Sequence, residues 1–222
     1  MNEQLLWPEW VRQHHGLEGD AGQIWQAVRE QQLPINPWFD PGRYRALHPD
    51  VAASGEDPLD HYLRFGWREQ RSTGCGSGLG GLVAFTPQEL AWLEVLVWPD
   101  WYLGQLPPEL RAGLEPSEAA EHYLRLGVMA GLDPNPLFCT RYYGMQHPDL
   151  LDQGCCLLLH YLRFGIAEGR RCHPQLELQP ALLQQWLQGE ALPGWPPPVA
   201  GLSRWQRQQH LQQWAERVHA KG

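Results

Sequence analysis

Short apolar clusters separated by proline and glycine run through the chain, and no stretch alternates long enough to predict a β-strand. In the clearest cluster, Leu59, Tyr62 and Leu63 stand at positions i, i+3 and i+4, which places them on one face of a helix. Asp57 and Pro58 precede them as an N-cap and a proline in the first helical position. The pattern therefore predicts an all-α fold built from short helices.

Further helices are predicted before this one. Asp40 and Pro41 open a helix in the same way, and a shorter turn that begins at Pro49 ends at Gly55, where glycine suits a left-handed backbone. Gly66 is the predicted end of the third helix. Helices of about eight residues are unstable alone in water. Each must therefore be held by packing against its neighbours, as in helical repeat arrays.

The tripeptide His-Tyr-Leu occurs three times, and each copy is followed by arginine, an apolar residue and glycine. Such internal repetition predicts a repeat architecture. It also argues against a catalytic role for the motif, because a site used once seldom needs three copies. The predicted structural motif comprises His61, Tyr62, Leu63, Gly66, His122, Tyr123, Leu124, Gly127, His160, Tyr161, Leu162 and Gly165.

The motif belongs to longer repeats of about 37 residues. Residues 36–73 and 135–174 match best, since both contain Asn-Pro, a following Phe and Tyr, and His-Pro-Asp before the motif. A more divergent copy spans 98–134, and a weak fourth copy at 7–35 has Gln-Ile-Trp in place of His-Tyr-Leu. The chain is thus predicted to contain three to four repeats arranged as two tandem pairs. We number them repeats 1 to 4 in chain order.

Four regions follow from this alignment. The first repeat pair occupies residues 1–73, and a Gly-rich linker occupies 74–85. The second repeat pair with a leading helix occupies 86–174, and C-terminal helices with a Pro-rich linker occupy 175–222. The linker contains GxGxxG, but no strand precedes it, so a flexible connection is favoured over a dinucleotide site.

Composition narrows the function classes. The net charge is −8 and the 17 basic residues are scattered, which argues against nucleic acid as a partner. No apolar run approaches the length of a membrane span, and the first ten residues lack the pattern of a signal peptide, so a cytoplasmic protein is expected. The five Cys have neither disulfide-framework nor zinc-site spacing, which indicates reduced thiols.

The repeat pattern NPxFDxxxY, followed by PDVxxxGxxPLxHYLxxGxxEGR, resembles short helical repeats appended to bacterial glycosyltransferases, sulfotransferases and large surface proteins. The resemblance covers residues 36–73 and 135–174 well, 98–134 partly and 7–35 weakly. It implies a module that accompanies catalytic domains, and it brings no catalytic residue to this chain. A glycosyltransferase, a sulfotransferase or a glycan is the partner that the resemblance suggests.

The histidines of the motif are expected to have structural roles. Three histidines at equivalent positions of separate repeats should lie too far apart to bind one metal ion, so each is expected to bond a backbone carbonyl or a helix end while its tyrosine fills the core. No cofactor site and no calcium loop is predicted. The last predicted helix, about 203–219, either docks on the repeats or binds a partner through Trp205, Leu211, Trp214 and Val218.

These observations predict a non-catalytic helical-repeat scaffold or adaptor in bacterial surface-polysaccharide assembly, binding a protein partner or a glycan. Surface Trp and Tyr beside Arg would stack on sugar rings in the glycan version. Two alternatives remain open. One is an enzyme, or the regulatory subunit of a glycosyltransferase or sulfotransferase, although no DxD motif or Ser/Cys-His arrangement is present. The other is a self-assembling structural protein that forms homo-oligomers.

Overall fold

The structure, a computed structural model, describes residues 5–73, 87–153 and 155–174 together with Glu190. Helices dominate these residues, which contain no sheet and only two isolated β-bridges, Asn36–Phe39 and Asn135–Phe138. The predicted all-α class is therefore confirmed. The predicted linker 74–85, and the C-terminal helices within 175–222, lie outside the described residues apart from Glu190.

Most helices begin with proline in the first turn, where its missing N–H costs no helical hydrogen bond. The predicted helix starts at Pro41, Pro49 and Pro58 are confirmed, and Gly55 has the expected left-handed backbone with φ 71°. The α-helices are α1 Pro8–His15, α2 Ala21–Glu30, α3 Pro41–Leu47, α4 Pro49–Ser54, α5 Pro58–His61, α6 Pro87–Leu96, α7 Pro99–Gly104, α8 Pro108–Arg111, α9 Ala119–His122, α10 Val128–Ala130, α11 Thr140–Gln146, α12 Pro148–Asp152 and α13 Leu157–His160.

Each His-Tyr-Leu motif continues from an α-helix into a π-helical turn. These turns are π1 Tyr62–Gly66, π2 Tyr123–Gly127 and π3 Tyr161–Gly165. The wider winding shows in the backbone, where the N–H of Trp67 donates to the carbonyl of Tyr62, five residues earlier, at 3.1 Å. A short 3₁₀ turn, Pro116–Glu118, precedes α9. Sequence periodicity predicted a helix at the His-Tyr-Leu motif, but it did not predict the π-helical turns.

Gly66 does not end its helix as predicted, because the π turn includes it and helical turns continue to Gln70. Gln70 adopts φ 57°, the left-handed conformation that closes a Schellman motif, and the N–H of Arg71 returns to the carbonyl of Gly66 at 2.8 Å. The same closure occurs at four places in the described part of the chain. The left-handed residues are Gln32, Gln70, Gly131 and Gly169.

The described residues divide into two compact units that interleave along the sequence. The first takes the described residues within Met1–Ala84, with Glu121–Leu132 and His147–Cys156. The second takes those within Phe85–Ala120, Asp133–Gln146 and Leu157–Gly222. The predicted repeat pairs, 1–73 and 86–174, are continuous segments, whereas each compact unit combines several segments. The repeat pairs therefore describe sequence similarity and do not coincide with the compact units. In space, segments distant along the chain share one unit.

Buried tryptophans hold distant segments together in the first unit. The Trp7 indole is fully buried and donates to the carbonyl of Met129 at 2.8 Å, and the Trp38 indole donates to the carbonyl of Cys155 at 3.1 Å. Their rings meet edge to face with centroids 5.0 Å apart. The high tryptophan content therefore serves the core here, where each ring buries a large apolar area and satisfies its N–H.

A fully buried asparagine fixes the start of repeat 2 in the first unit. Asn36 donates through Nδ2 to the carbonyl of Leu5 at 2.9 Å and accepts the N–H of Trp38 at 2.9 Å. The second unit contains the corresponding contacts of Asn135, with the carbonyl of Leu96 at 2.6 Å and the N–H of Leu137 at 2.8 Å. The Asn-Pro of the sequence pattern is thus a buried connector between chain segments.

Candidate functional site

The histidine of repeat 2 forms a buried pair with a tyrosine of the same repeat. His61 Nδ1 lies 3.0 Å from the hydroxyl oxygen of Tyr44, and the two rings are 6.0 Å apart. Burial raises the pKa of Tyr44 to about 12, so the phenol keeps its proton at neutral pH and can donate it to the imidazole. The partner of His61 is therefore a side-chain hydroxyl, where the sequence predicted a backbone carbonyl or a helix end.

Repeat 4 contains the same pair in the second unit. Tyr143 has its hydroxyl 3.0 Å from His160 Nδ1, and the separation along the chain is 17 residues in both repeats. An aromatic cluster surrounds each pair. Phe39 packs between Tyr44 and Tyr62 at 5.3 and 5.6 Å in the first unit, and the corresponding distances in the second unit are also 5.3 and 5.6 Å.

The motif glycine leaves room for this pair. A β-carbon added to Gly66 would lie 2.4 Å from the hydroxyl of Tyr44 and 2.8 Å from the ring of Tyr62. At Gly165 the corresponding distances are 2.5 and 2.7 Å. Neither glycine has a positive φ, so the requirement for glycine is steric. The first and last positions of HYLxxG thus act on the same buried tyrosine.

The histidine of repeat 3 has different surroundings. His122 lies in the first unit, almost fully buried, with its ring 5.0 Å from Trp67 in an edge-to-face contact. Burial, with a smaller effect from the charge of Arg68, lowers its pKa to about 4. His122 is therefore neutral at pH 7. The three motif histidines occupy the same position of the repeat, but their surroundings differ. His61 and His160 each contact a tyrosine hydroxyl, whereas His122 packs against Trp67.

The histidines do not form one reactive centre. His61 and His122 are buried in the first unit in separate contacts, and His160 belongs to the second unit. Within residues 5–73, 87–153 and 155–174, no group of three or more His, Cys, Asp or Glu side chains could hold a metal ion. No helix in that part of the chain is both long and apolar enough to cross a membrane.

The cysteines of the second unit lie at the closure of repeat 4. The N–H of Cys139 donates to the carbonyl of Cys172 at 2.9 Å, and the thiol of Cys172 donates to the carbonyl of Leu137 at 3.4 Å. Burial raises the pKa of Cys139, and it raises the pKa of Cys172 to about 11. Because the thiolate is the nucleophile, a raised pKa makes both cysteines poor nucleophiles at neutral pH.

Carboxylates near the closures of repeats 2 and 4 form local ion pairs with arginines. Arg71 binds Asp50 at 2.7 Å and Glu69 at 2.5 Å, and Arg170 binds Glu168 at 2.5 Å. The hydrogen bond from Arg71 lowers the pKa of Asp50. All three carboxylates are about half exposed, so these pairs contribute little to stability.

Large apolar side chains are exposed at four places in the described part of the chain. Leu47 is 53 % exposed, Phe65 43 %, Trp101 46 % and Phe164 52 %. Phe65 and Phe164 occupy the same position of the motif in repeats 2 and 4. Nearly all the described tyrosines are buried, and Tyr142 is half-buried, so surface tyrosine does not supply the aromatic surface that the glycan hypothesis expected.

A small open pocket lies in the first unit between α2 and α5. Its space, including the part open to solvent, is about 260 Å³. The floor is apolar, from Val28, Ile35 and Leu59, and Arg29 with Asp57 lies at the rim, bonded at 2.9 Å. Arg29 also lies over the ring of Trp25 at 5.4 Å. The rim charges neutralise each other, so the pocket does not select for ligand charge.

The four predicted partner-binding residues lie outside the described part of the chain, namely Trp205, Leu211, Trp214 and Val218. Comparison with protein-family models, with curated proteins and with solved structures finds no significant match for this chain.

Sequence reasoning missed the tyrosine partners of the histidines and the exposed phenylalanines. Only the tyrosines leave a signal in the sequence. Tyr44 and Tyr143 each precede their motif histidine by the same 17 residues, which is the spacing expected of a contact repeated in two copies. Phe65 and Phe164 stand where repeat 3 has Leu126, which is buried. The exposure of the two phenylalanines could not be inferred without the structure.

Proposed function

We propose that this chain is a non-catalytic helical-repeat scaffold, made of four repeats in two pairs, that binds a protein partner or a glycan. The observation that carries the proposal is the pairing of His61 with Tyr44 and of His160 with Tyr143. These are the most reactive side chains that the repeated motif contains. His61 is bonded within the core, and the half-buried His160 makes the same contact with a buried tyrosine, so both histidines have a structural use.

The repeat arrangement is supported by backbone contacts at corresponding positions. Among residues 5–73, 87–153 and 155–174 there are four Schellman closures, one for each repeat, including the one at Gln32 in repeat 1, where the motif has Gln in place of His. Repeats 1 and 3 also begin alike. The N–H of Trp7 donates to the carbonyl of Ile35 at 3.1 Å, and the N–H of Trp98 donates to that of Pro134 at 3.0 Å.

The surroundings of the ionisable groups support a scaffold role. His61 and His122 are in buried contacts, the cysteines at the closure of repeat 4 have raised pKa values, and Asp50, Glu69 and Glu168 pair with arginines. A general acid or base needs a pKa near the working pH and a cavity that admits substrate. The pocket between α2 and α5 contains neither a histidine nor a cysteine.

The biological setting in the proposal comes from the resemblance to repeats appended to bacterial glycosyltransferases and sulfotransferases. It favours a cytoplasmic adaptor in surface-polysaccharide assembly, with a transferase or its glycan as the bound partner. In this proposal the exposed aromatic side chains Phe65, Trp101 and Phe164 form the binding surfaces. The buried motif holds those surfaces in place.

The test separates binding from turnover. The purified full chain is immobilised and exposed to a lysate of its native host, and its ability to bind polysaccharide is measured in parallel. Retention of a defined transferase or glycan, unchanged in a folded His160→Gln variant, supports the scaffold. Turnover of activated sugars or sulfate donors by the purified chain, lost in a variant of undiminished stability, would overturn it.

A further inference from the structure

Repeats 2 and 4 present the same pair of side chains to solvent. Phe65 follows Arg64 in π1, and Phe164 follows Arg163 in π3, and all four residues are exposed. Each phenylalanine rests on the motif histidine below it, with ring centroids 5.6 Å apart in the first unit and 5.3 Å apart in the second. The imidazole is itself fixed by its tyrosine, so the exposed ring stands on a rigid support.

Repeat 3 provides an internal comparison for these positions. There the corresponding residues are Arg125 and Leu126, and both are buried, with Arg125 bonded to Glu121 at 3.0 Å. An aliphatic side chain thus occupies the position where it packs in the core, and an aromatic ring occupies it where it faces water. Exposing a phenylalanine forgoes the stabilisation that burial would give. Its recurrence on two surfaces points to a use of the ring.

Cationic groups flank the ring in the first unit. The guanidinium of Arg64 lies 5.0 Å from the centroid of Phe65, and the side chain is 65 % exposed. Arg68 lies one turn further on and is also exposed. Glu56 accepts one N–H of Arg64 at 3.0 Å, and the other donors of its guanidinium can take a second anion. The surface thus offers an aromatic face beside bidentate donors for carboxylate or sulfate.

We infer that Arg64 with Phe65, and Arg163 with Phe164, are two subsites for anionic pyranose units of a polysaccharide. The second subsite has Ala167 where the first has Arg68, so it has one flanking cation fewer. The C–H face of the sugar would lie on the phenylalanine ring, and the guanidinium would bind the carboxylate or sulfate ester. Each subsite is one ring and its flanking charges, which suits a single sugar unit, whereas a stable protein interface buries roughly 800 Å² on each partner. This inference rests on the proposed scaffold function and specifies its ligand.

Binding is measured by isothermal titration calorimetry of the full chain with polygalacturonate, dextran sulfate and neutral dextran. The first two probes distinguish a carboxylate from a sulfate ester as the recognised group. We expect at least one of them to bind, more weakly as salt is raised, and dextran not to bind. Phe65→Ala with Phe164→Ala should weaken that binding at least tenfold, and Arg64→Gln with Arg163→Gln should reduce its salt dependence.

The matched control is Leu47→Ala, because Leu47 is as exposed as the phenylalanines and lies outside the motif. Its binding should equal that of the unaltered chain. Polysaccharide binding that survives the double phenylalanine substitution would overturn the subsites and leave the scaffold proposal standing. Equal binding of dextran would overturn the anionic ligand. Capture of a transferase without binding of any probe would also overturn the inference, while supporting the protein-binding form of the scaffold.

Discussion

The hydroxyl of Tyr44 and Nδ1 of His61 are 3.0 Å apart, and this contact recurs at the same distance between Tyr143 and His160. The two residues come from different helices of one repeat, α3 and the end of α5 in the first case. A hydrogen bond between buried side chains specifies how these helices pack, because any other arrangement would leave two polar groups unsatisfied in the core.

Removing the hydroxyl of this pair should destabilise the chain. Tyr44→Phe leaves the buried Nδ1 of His61 without its partner, and we expect a loss of about 1–3 kcal/mol in the free energy of unfolding. Tyr143→Phe should behave alike in the second unit. Urea-induced unfolding measures both, with Tyr142→Phe as the control at a half-buried tyrosine. Equal stabilities of Tyr44→Phe and the control would show that the contact has no energetic weight.

The motif glycine should be intolerant of even one methyl group. In Gly66→Ala the added β-carbon would lie 2.4 Å from the Tyr44 hydroxyl, and we expect a destabilisation of about 2 kcal/mol or more. Gly104→Ala is the control, because a β-carbon there meets no atom within 4 Å. Both variants are compared by thermal and urea unfolding.

A second substitution tests the steric explanation directly. Adding Tyr44→Phe to Gly66→Ala removes the closest clashing atom, so the double variant should lose less stability than the sum of the two single losses. The contact with the ring of Tyr62 at 2.8 Å remains, so the rescue should be partial. Strict additivity would contradict the proposed shared role of the glycine and the tyrosine.

The sequence predicts local features of this fold well and distant contacts poorly. Proline and aspartate at helix starts, and glycine at the end of α4, act within one turn, so their effect can be deduced from neighbouring residues. The contact of Tyr62 with the carbonyl of Arg125, at 3.3 Å, joins residues from different repeats. Nothing in the spacing of two tandem copies indicates that a segment of repeat 3 packs in the unit that contains repeat 2.

In the candidate site, too, some features could be predicted from the sequence and others could not. The burial of the motif tyrosine could be predicted, because Tyr62 shares an apolar helix face with Leu59 and Leu63. The π-helical turns could not, since the apolar spacing of Leu59, Tyr62 and Leu63 also fits an α-helix. Nor could the exposure of Phe65, because whether a motif position faces a neighbouring segment depends on tertiary packing and not on the repeat itself.

Gln70 and Gly169 occupy the same left-handed position of the Schellman closure in repeats 2 and 4. Introducing glycine at the first and removing it from the second should therefore change the stability in opposite directions. Gln70 adopts φ 57°, which is strained for a residue with a β-carbon, so Gln70→Gly should stabilise the chain by up to about 1 kcal/mol. Gly169 has φ 66° with open space around it, so Gly169→Ala should destabilise by about 1 kcal/mol through the backbone alone. Urea unfolding of both variants checks the signs. Effects of the same sign would contradict the assignment.

Acid should weaken the fold through His122. Its pKa is lowered to about 4 in the folded chain, while an unfolded histidine titrates near 6.5, so the unfolded state binds more protons between these values. Stability is therefore lost as the pH falls through this window, by about 2 kcal/mol between pH 7 and pH 5 from this residue. The loss should be absent from the free energy of unfolding of His122→Leu, measured in urea at both pH values. Substituting the exposed His14 by glutamine should leave the loss in place, and an unchanged pH dependence in His122→Leu would exclude His122 as its source.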